Sequence, residues 1–360
     1  MSQFGSSRSA ATVGAAGSPS ASPLGSLSRS WPALVVLACT LLLTFAAWRY
    51  AERTVRANEQ ERFDRVVVTS RTVIDRRLEA YQQILIGVRA LFAGSAAVER
   101  AEFRSYVTGL GLEGRYPGLR GIGWIPRVPA PLRAQHEALM RRGGPAGYAI
   151  HPVGSQLDFY PLAFLEPFEV FEASVFGLDA GTRPESREAM EHARDTDGVA
   201  MSRRRALLRG GGAGFVIYLP VYRAGASPPA VAERGQAFEG FVAAAFRPDL
   251  MMGVLFGPAR PEPVDLELVD GPEGTPGPLL YDRERGASAG PRTLRASVPV
   301  TFGGHTWTLR FATLPAFHSL AERLVPYWVL GSGLLISLLA FVTTLLPMRA
   351  LTAARRHGAE

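Results

Sequence analysis

Two uncharged hydrophobic runs, separated by 275 residues, constrain this chain more than any other feature. The first, residues 31–48, would extend about 27 Å as a helix, close to the thickness of a bilayer core. The second, residues 324–348, has 25 residues and is long enough to cross a bilayer with tilt. Trp31 and Trp48 stand at the two ends of the first run, and amphipathic rings of this kind favour the membrane interface. We predict two transmembrane helices, with a buried core helix as the alternative for each and a cleaved signal peptide as a further alternative for the first.

The charges beside the two runs predict the orientation. Residues 1–48 contain two arginines and no acidic residue, and residues 349–360 contain three arginines against Glu360. Arginines close to a membrane helix favour the cytoplasmic side. We therefore predict that both termini are cytoplasmic and that residues 49–323 lie outside, which in a bacterial inner membrane means the periplasm.

The two ends of the chain are predicted to be tails. Residues 1–30 contain ten serines and few large apolar groups. Such a segment buries too little apolar area to offset its ordering entropy. We expect a disordered cytoplasmic tail over 1–30 and a short cytoplasmic tail over 349–360.

A helical pattern follows the first membrane run. Residues 49–93 contain no proline and one glycine. Apolar residues recur there at steps of 4, 7, 4, 3, 4, 3 and 4, close to a 3.5-residue repeat. They are Phe63, Val67, Ile74, Leu78, Tyr81, Leu85, Val88 and Phe92. We predict a long stalk helix, whose stripe is either a seam between two copies of the chain or the face that packs on the outer domain.

The rest of the outer segment changes from a mixed pattern to a mostly β pattern, which predicts an α+β fold. Helical patterns cover residues 103–112, 132–142 and 187–194. Strand-like runs cover residues 215–222, 241–246, 264–270, 279–281, 293–302 and 305–312. Gly303 and Gly304 are typical of a tight hairpin turn between the last two runs.

Composition excludes several classes of chemistry. All 39 basic residues are arginine, so no Walker A loop, protein kinase lysine or pyridoxal Schiff base is possible. The six histidines show no metal-ligand spacing. The net charge of +7 is dispersed, without a basic stripe interleaved with aromatic residues. We expect no enzyme activity, no cofactor, no metal and no nucleic-acid partner; a periplasmic hydrolase is an alternative that lacks an assembled nucleophile, base or metal set.

Two enzyme-like motifs lack the surroundings that their chemistry requires. Gly286–Gly290 fits a nucleophile elbow, but a charged segment precedes it and Pro291 follows it. Gly109–Gly114 fits a dinucleotide-binding fingerprint, but it follows a helical pattern instead of opening one. We interpret the first as a turn and assign no dinucleotide-binding role to the second.

Four sequence blocks stand in order between the two hydrophobic runs. They are EFRSYVTGLGLEGRYPGLRGIGWIPRV (102–128), FYPLAFLEP (159–167), FGLDAGTRPESREAMEHARDT (176–196) and GFVIYLPVY (214–222), followed by GFVAAAF. Their order resembles the CHASE domain, the extracellular sensor module of cytokinin-receptor-type and many bacterial membrane sensors. The resemblance spans roughly residues 81–246.

The resemblance implies a long stalk helix followed by two PAS-like subdomains, flanked by the two transmembrane helices. The distal subdomain would hold the ligand, and the membrane-proximal one would contain the later strands. The expected boundaries are a tail over 1–30, a transmembrane helix over 31–48, the stalk over 49–93, the distal part over 94–256, the proximal part over 257–323, the second transmembrane helix over 324–348 and a tail over 349–360.

The resemblance also implies site residues. An aspartate in the block GLDAG, here Asp179, would make paired hydrogen bonds to an adenine-type base, and a carboxylate suits ring and exocyclic N–H donors. A pocket strand would place Met201 and Ser202 beside the ligand. The apolar walls are expected from Phe215, Ile217, Tyr222 and Phe241.

Alternatives remain for these residues. Asp179 instead caps the helix that ends at Arg194 or pairs with Arg183 or Arg187, and the apolar wall residues are simple core. A one-residue shift in alignment would exchange the side chains that face the pocket. The run Arg203–Arg205 either recognises an acidic ligand or forms a solvated face.

The function expected from these features is that of a membrane-anchored ligand sensor. A small molecule, adenine-like by the resemblance, would bind outside and shift the packing of the outer segment. The family normally has an output domain after the second span, and the 12 residues after Met348 contain nothing catalytic. The chain is therefore expected to be either a stand-alone sensor that acts through a separate signalling partner or a fragment. We also expect a homodimer. The alternative from another class is an envelope protein-interaction or structural module with no small ligand.

Overall fold

The computed structural model describes residues 31–95, 97–167, 173–207, 212–223, 230–257, 263–284, 293–317 and 319–357. The predicted tail over 1–30 and the predicted turn at Gly286–Gly290 lie outside the described residues. The helices are α1 (Trp31–Gly94), α2 (Arg100–Leu110), α3 (Leu112–Arg115), α4 (Arg133–Arg142), α5 (Pro184–Thr196), α6 (Val231–Ala237), α7 (Pro248–Phe256) and α8 (Leu320–His357). The strands are β1 (Leu119–Pro126), β2 (Val128–Pro129), β3 (Asp158–Phe159), β4 (Phe164–Glu166), β5 (Ala200–Met201), β6 (Arg205–Ala206), β7 (Ala213–Tyr222), β8 (Phe238–Phe246), β9 (Val264–Asp270), β10 (Leu279–Asp282), β11 (Arg295–Phe302) and β12 (His305–Thr313).

The chain divides into two units, and the smaller one contains the two hydrophobic runs. It comprises residues 1–58 and 318–360. Helices α1 and α8 each contain a stretch long and apolar enough to cross a membrane. Most side chains of these stretches are exposed on the protein, so the core-helix alternative is wrong for both runs. The chain therefore carries two candidate membrane helices on either side of its outer segment.

A cluster of small residues joins the two hydrophobic helices inside this unit. The hydroxyl oxygens of Thr44 and Ser337 are 3.4 Å apart and buried. A Cβ added at Gly333 would meet the Thr44 side chain at 2.4 Å, so glycine permits the close approach of the two backbones.

The larger unit, residues 59–317, begins with the second part of α1. The apolar stripe of this helix is buried within a single chain, from Phe63 to Val88. Tyr81 packs on Phe246 of β8 at 5.3 Å between ring centroids, and Phe92 stacks on Trp124 of β1 at 4.1 Å. The interpretation as a domain-packing face is confirmed, and the interpretation as a seam between two copies is wrong, because these side chains are already covered.

A six-stranded antiparallel sheet is the first core of this unit. Its order is β4-β1-β8-β7-β5, with β6 pairing with β7. Alternate residues of each strand face opposite sides, so one face packs on α1 and the other on α5. On β7, for example, Ile217 belongs to the cluster with α1, and Tyr218 belongs to the cluster with α5.

A four-stranded antiparallel sheet follows, in the order β10-β9-β12-β11. Gly303 and Gly304 join β11 to β12 with φ angles of 56° and 75°, which confirms the predicted hairpin. The inner face of this sheet adds Trp307 to the core, 5.3 Å from Phe215 between ring centroids. The two sheets and the long helix therefore share one hydrophobic core.

Sequence patterns located most of these elements, and α7 is the main omission. The predicted strand over residues 264–270 is β9 itself, and the predicted helix over 187–194 lies within α5. Gly109 lies in the last turn of α2, and Gly111, with a φ angle of 61°, ends that helix. Helix α7 was not predicted, because its mostly apolar sequence PDLMMGVLF lacks a polar face that would show a helical period.

Candidate ligand-binding site

A cavity of about 300 Å³ lies on the α5 side of the six-stranded sheet. Helix α5 forms one wall, β8 contributes to the floor, and the loop before β3 forms the rim. The lining residues are Gln156, Leu157, Asp158, Tyr160, Asp179, Gly181, Arg187, Met190, Glu191, Arg194 and Phe241. The volume is at the lower end of the range for small-molecule pockets, and the lining is richer in charged groups than is usual for them.

Asp179 is the most buried charged residue of the cavity, with 1% of its surface exposed. One carboxylate oxygen accepts hydrogen bonds from the backbone N–H groups of Tyr160 and Gly181, at 3.0 and 2.9 Å. The other oxygen accepts one from Gln156 Nε2 at 3.2 Å. The carboxylate therefore caps the one-turn 3₁₀-helix Ala180–Thr182, which leads into α5. The prediction placed this cap on the helix that ends at Arg194, but the N-cap of that helix is Arg183, which makes no side-chain capping bond. No ion pair joins Asp179 to Arg183 or Arg187 within the described residues.

Helix α5 presents a charged face to the cavity. Pro184 at its first turn fixes where the helix begins, and Arg187, Met190, Glu191 and Arg194 follow at helical spacing on one face. The Nε and Nη2 of Arg187 both donate to the backbone oxygen of Gly181, at 2.9 and 2.6 Å. Arg187 thus holds the turn that Asp179 caps.

The other charged groups around the cavity are arranged near Tyr160. Asp158 accepts a hydrogen bond from Arg127 at 3.0 Å, and this bond raises the pKa of the Arg127 guanidinium. A hydrogen bond to Asp195 raises the pKa of Arg194. Burial raises the pKa of Tyr160, with the Asp158 carboxylate adding to the effect, so its phenol stays protonated and can donate.

The structure brings together only part of the predicted site. Asp179 and Phe241 both line the cavity. Tyr222 lies on the same face of the sheet, but its hydroxyl donates to the backbone oxygen of Arg194, and burial raises its pKa to about 12.

The other four predicted residues lie away from the cavity. Phe215, Ile217 and Met201 belong to the core on the α1 side of the sheet, because the two-residue period of β7 and β5 turns them away from Asp179. The buried hydroxyl of Ser202 accepts a hydrogen bond from the backbone N–H of Val216 at 2.9 Å, so it completes strand pairing. The expectation that these four form one pocket with Asp179 does not hold in this structure.

The arginine run also lies outside the cavity. Arg203 pairs with Glu188 on an exposed face of α5. Arg205 donates to the hydroxyl of Ser186 at 2.6 Å. These contacts agree with the solvated-face alternative for Arg203 and give Arg205 a partner on α5.

Sequence reasoning missed most of the lining residues. A signal for the α5 wall was present, since Arg187, Met190, Glu191 and Arg194 have the spacing of one helix face within an apolar-polar helix. Gln156 and Tyr160 carry no such signal, because the loop and the short strand that place them have no period.

A family model for the CHASE domain matches residues 96–281. This match covers half of the chain and contains both the cavity and the sheet that supports it. The chain belongs to the CHASE domain family. The CHASE domain of this chain is thus an extracellular-type sensor module between two candidate membrane helices.

Comparisons beyond the family model give distant likenesses. No curated protein matches the sequence. An extracellular ligand-binding receptor from Desulfohalobium retbaense is similar with a TM-score of 0.46 and 12% identity, covering 70% of this chain and 40% of its own. This chain therefore spans well under half of that receptor's length. A second similar structure is the ligand-binding domain of the Pseudomonas aeruginosa PAO1 amino acid chemoreceptor PctC in complex with GABA. Its TM-score is 0.41 at 12% identity, and the match covers 70% of this chain and 98% of that domain. A third is the periplasmic sensory domain of the Campylobacter jejuni chemoreceptor Tlp1. Its TM-score is 0.44 at 8% identity, and the match covers 73% of this chain and 97% of that domain.

Proposed function

We propose that this CHASE domain binds a small molecule in the α5 cavity and signals across the membrane. The observation that carries the proposal is the cavity itself, in which buried Asp179, the arginines of α5 and aromatic Phe241 converge. Convergent polar groups around an apolar floor favour binding, and we propose no catalytic role for them. We also assign the two sheets to the two PAS-like subdomains that the family resemblance implies.

Contacts of α5 supply a route from the cavity to the long helix. Asp197, just beyond the end of α5, forms a 2.8 Å ion pair with Arg89 of α1. At the neighbouring edge strand, the backbone N–H of Met201 donates to the Gly303 oxygen of the four-stranded sheet at 2.8 Å. A ligand that binds one arrangement of α5 more tightly than another shifts both contacts.

The family resemblance makes adenine-type bases the first ligands to test. Asp179 already accepts three hydrogen bonds, and a carboxylate has about four accepting positions. The paired bonds expected for an adenine ring therefore require that Gln156 release its bond to Asp179.

We further propose a homodimer that acts through a separate signalling partner. Because the buried stripe of α1 is already covered, a pairing along this helix would use its opposite face, on which Val68 is 64% exposed. A cysteine at Val68, in a chain whose Cys39 is replaced by alanine, is expected to crosslink two copies. A cysteine at buried Ile74 is the matched control, and crosslinking at Ile74 but not at Val68 would contradict this arrangement.

The function is tested by thermal unfolding of the full chain in lipid nanodiscs. The compounds are adenine derivatives, amino acids and small organic acids. A ligand at 100 times its dissociation constant adds about 2.7 kcal/mol to the free energy of unfolding, which is a clear shift in melting temperature.

Two tryptophan variants locate the binding site. Glu191→Trp fills the mouth of the cavity from an exposed position, and Glu188→Trp places the same side chain on the same helix away from the cavity lining. We expect the shift to disappear in the first variant and remain in the second. An equal shift in both would contradict binding in this cavity, and the absence of a shift with every compound would favour the protein-interaction alternative.

A further inference from the structure

The enclosed carboxylates of the cavity are bound by donors of the protein, whereas its arginines have donor groups that are not used. This difference indicates the class of ligand. The two most enclosed carboxylates have partners: Asp179 accepts three N–H donors, and Asp158 is paired with Arg127. Glu191, the third acidic lining residue, is exposed at the rim. The enclosed carboxylates are therefore already neutralised by donors of the protein.

The two arginines of the cavity have unused donors. Arg187 is exposed, like Glu191, and donates to a carbonyl oxygen, which carries no full charge; within the described residues its Nη1 has no hydrogen-bond partner. Arg194 uses Nε for Asp195, and no acceptor among the described residues bonds its two Nη groups. Arg187 and Arg194 lie seven residues apart, two helical turns on the same face of α5, or about 10 Å along the axis.

The apolar lining lies between and below these arginines. Met190 stands between them on α5, and Phe241 comes from β8. Tyr160 packs on Phe241 with 6.1 Å between ring centroids, and no hydrogen bond to its hydroxyl occurs within the described residues. The cavity thus combines cationic donors with an aromatic and thioether surface.

We infer that the cavity binds an organic anion whose carboxylate is held by Arg187 or Arg194 and whose apolar part lies on Met190, Tyr160 and Phe241. Planar guanidinium groups bind carboxylates with paired, charge-assisted hydrogen bonds. This inference rests on the proposed function, and it gives Asp179 the role of a positioning residue that holds the turn beneath Arg187.

Matched pairs of acids and amides test the inference. The full chain in nanodiscs is titrated with phenylacetate and phenylacetamide, and with hexanoate and hexanamide, with adenine as the neutral base. Each pair keeps the apolar part and removes the negative charge. We expect the acids to raise the melting temperature and the amides to leave it unchanged.

Variants of the arginines assign the effect to the cavity. Arg194→Gln is expected to weaken binding of the acid about tenfold or more, the usual scale for a hydrogen bond to a charged group. Arg194→Lys, which keeps the charge, is expected to restore part of the affinity. Arg203→Gln removes an arginine that contacts α5 through Glu188, away from the cavity, and is expected to leave the affinity for the acid unchanged. Arg187→Gln is also expected to weaken binding of the acid, but loss of its bond to Gly181 loosens the turn as well, so Arg194→Gln is the decisive variant.

The outcomes separate this inference from the proposed function. If the amides or adenine stabilise the chain as strongly as the acids, and Glu191→Trp removes that effect, the cavity binds a ligand but the anion inference is wrong. If the acids stabilise Arg194→Gln as well as the unmodified chain, the inference is also wrong. If no compound changes the melting temperature at millimolar concentration, both the inference and the proposed function fail.

Discussion

Asp179 shows how a buried carboxylate is stabilised by its own chain. A charge with 1% exposure requires hydrogen-bond donors around it, and two backbone N–H groups and one side-chain amide provide them. Sequence reasoning found this residue through a motif, but the motif alone did not distinguish a ligand contact from a cap. Its partners lie 19 and 23 residues away in the case of Tyr160 and Gln156, so the tertiary fold decides the role.

The first prediction concerns Asp179→Ala. The substitution leaves two buried backbone donors without their acceptor, and each costs about 1–3 kcal/mol. We expect the free energy of unfolding of the full chain to fall by about 3 kcal/mol, measured by thermal unfolding without ligand. Asp179→Asn retains one accepting oxygen and is expected to lose less. Equal stability of Asp179→Ala and the unmodified chain would contradict the capping role, and loss of ligand response in Asp179→Ala alone does not identify a ligand contact.

The second prediction concerns pH and His136. Burial lowers the pKa of His136, whose Nε2 lies 2.9 Å from the Tyr148 hydroxyl, so the folded chain favours the neutral ring. The unfolded chain takes up the proton near its ordinary pKa of about 6.5, and stability from the neutral ring is therefore lost as pH falls through that value. We expect the melting temperature to drop less between pH 7.5 and pH 5.5 in His136→Gln than in the unmodified chain. A drop of the same size in both would contradict this assignment.

Helix α5 is the element on which the cavity and the long helix both depend. Its inward face packs on β7, one flank lines the cavity, and the residue after its end pairs with α1. The sequence predicted this helix and the neighbouring strands, because their apolar periods are local. It did not predict which face of β7 meets the cavity, because that depends on strand order and register, which bring β7 against β8 and place Ile217 opposite Ala244.

The third prediction concerns the contact between Arg89 and Asp197. Both side chains are partly exposed, and such a pair contributes less than about 1 kcal/mol to stability. We therefore expect Arg89→Gln to leave the melting temperature and ligand affinity nearly unchanged. We expect it to remove the change in hydrogen exchange that a ligand causes in residues 85–94 of α1.

Arg71→Gln is the matched control for this experiment. It breaks an ion pair with Asp75 on the exposed face of the same helix. A ligand-dependent change that persists in Arg89→Gln would show that α5 acts on α1 by another route.

At the scale of the whole molecule, two candidate membrane helices flank in sequence a segment in which two sheets share one core. The lengths of the apolar runs predicted the two hydrophobic helices, since membrane helices have the strongest sequence signal of any element. The cavity could not be predicted at this scale. Its walls come from segments between residues 156 and 241, and only folding brings them together.

The fourth prediction concerns the orientation in the membrane. The arginines beside both hydrophobic runs favour cytoplasmic termini. Alkaline phosphatase, which is active only outside the cytoplasm, is expected to be inactive when fused after Glu360. The same enzyme fused after Phe317, ahead of the second hydrophobic run, is expected to be active. The reverse pattern would overturn the orientation.

The alternation of side chains along β7 and β8 has a consequence for how such a sensor changes over evolution. Odd and even positions of one strand belong to different environments, one beside the cavity and the other beside the long helix. If the cavity binds the ligand that we propose, substitutions on the first face change which compound is bound, and substitutions on the second face change how the sheet packs on α1. In a sheet built this way, ligand specificity and packing on the long helix are altered by different residues, so selection can change the first without changing the second.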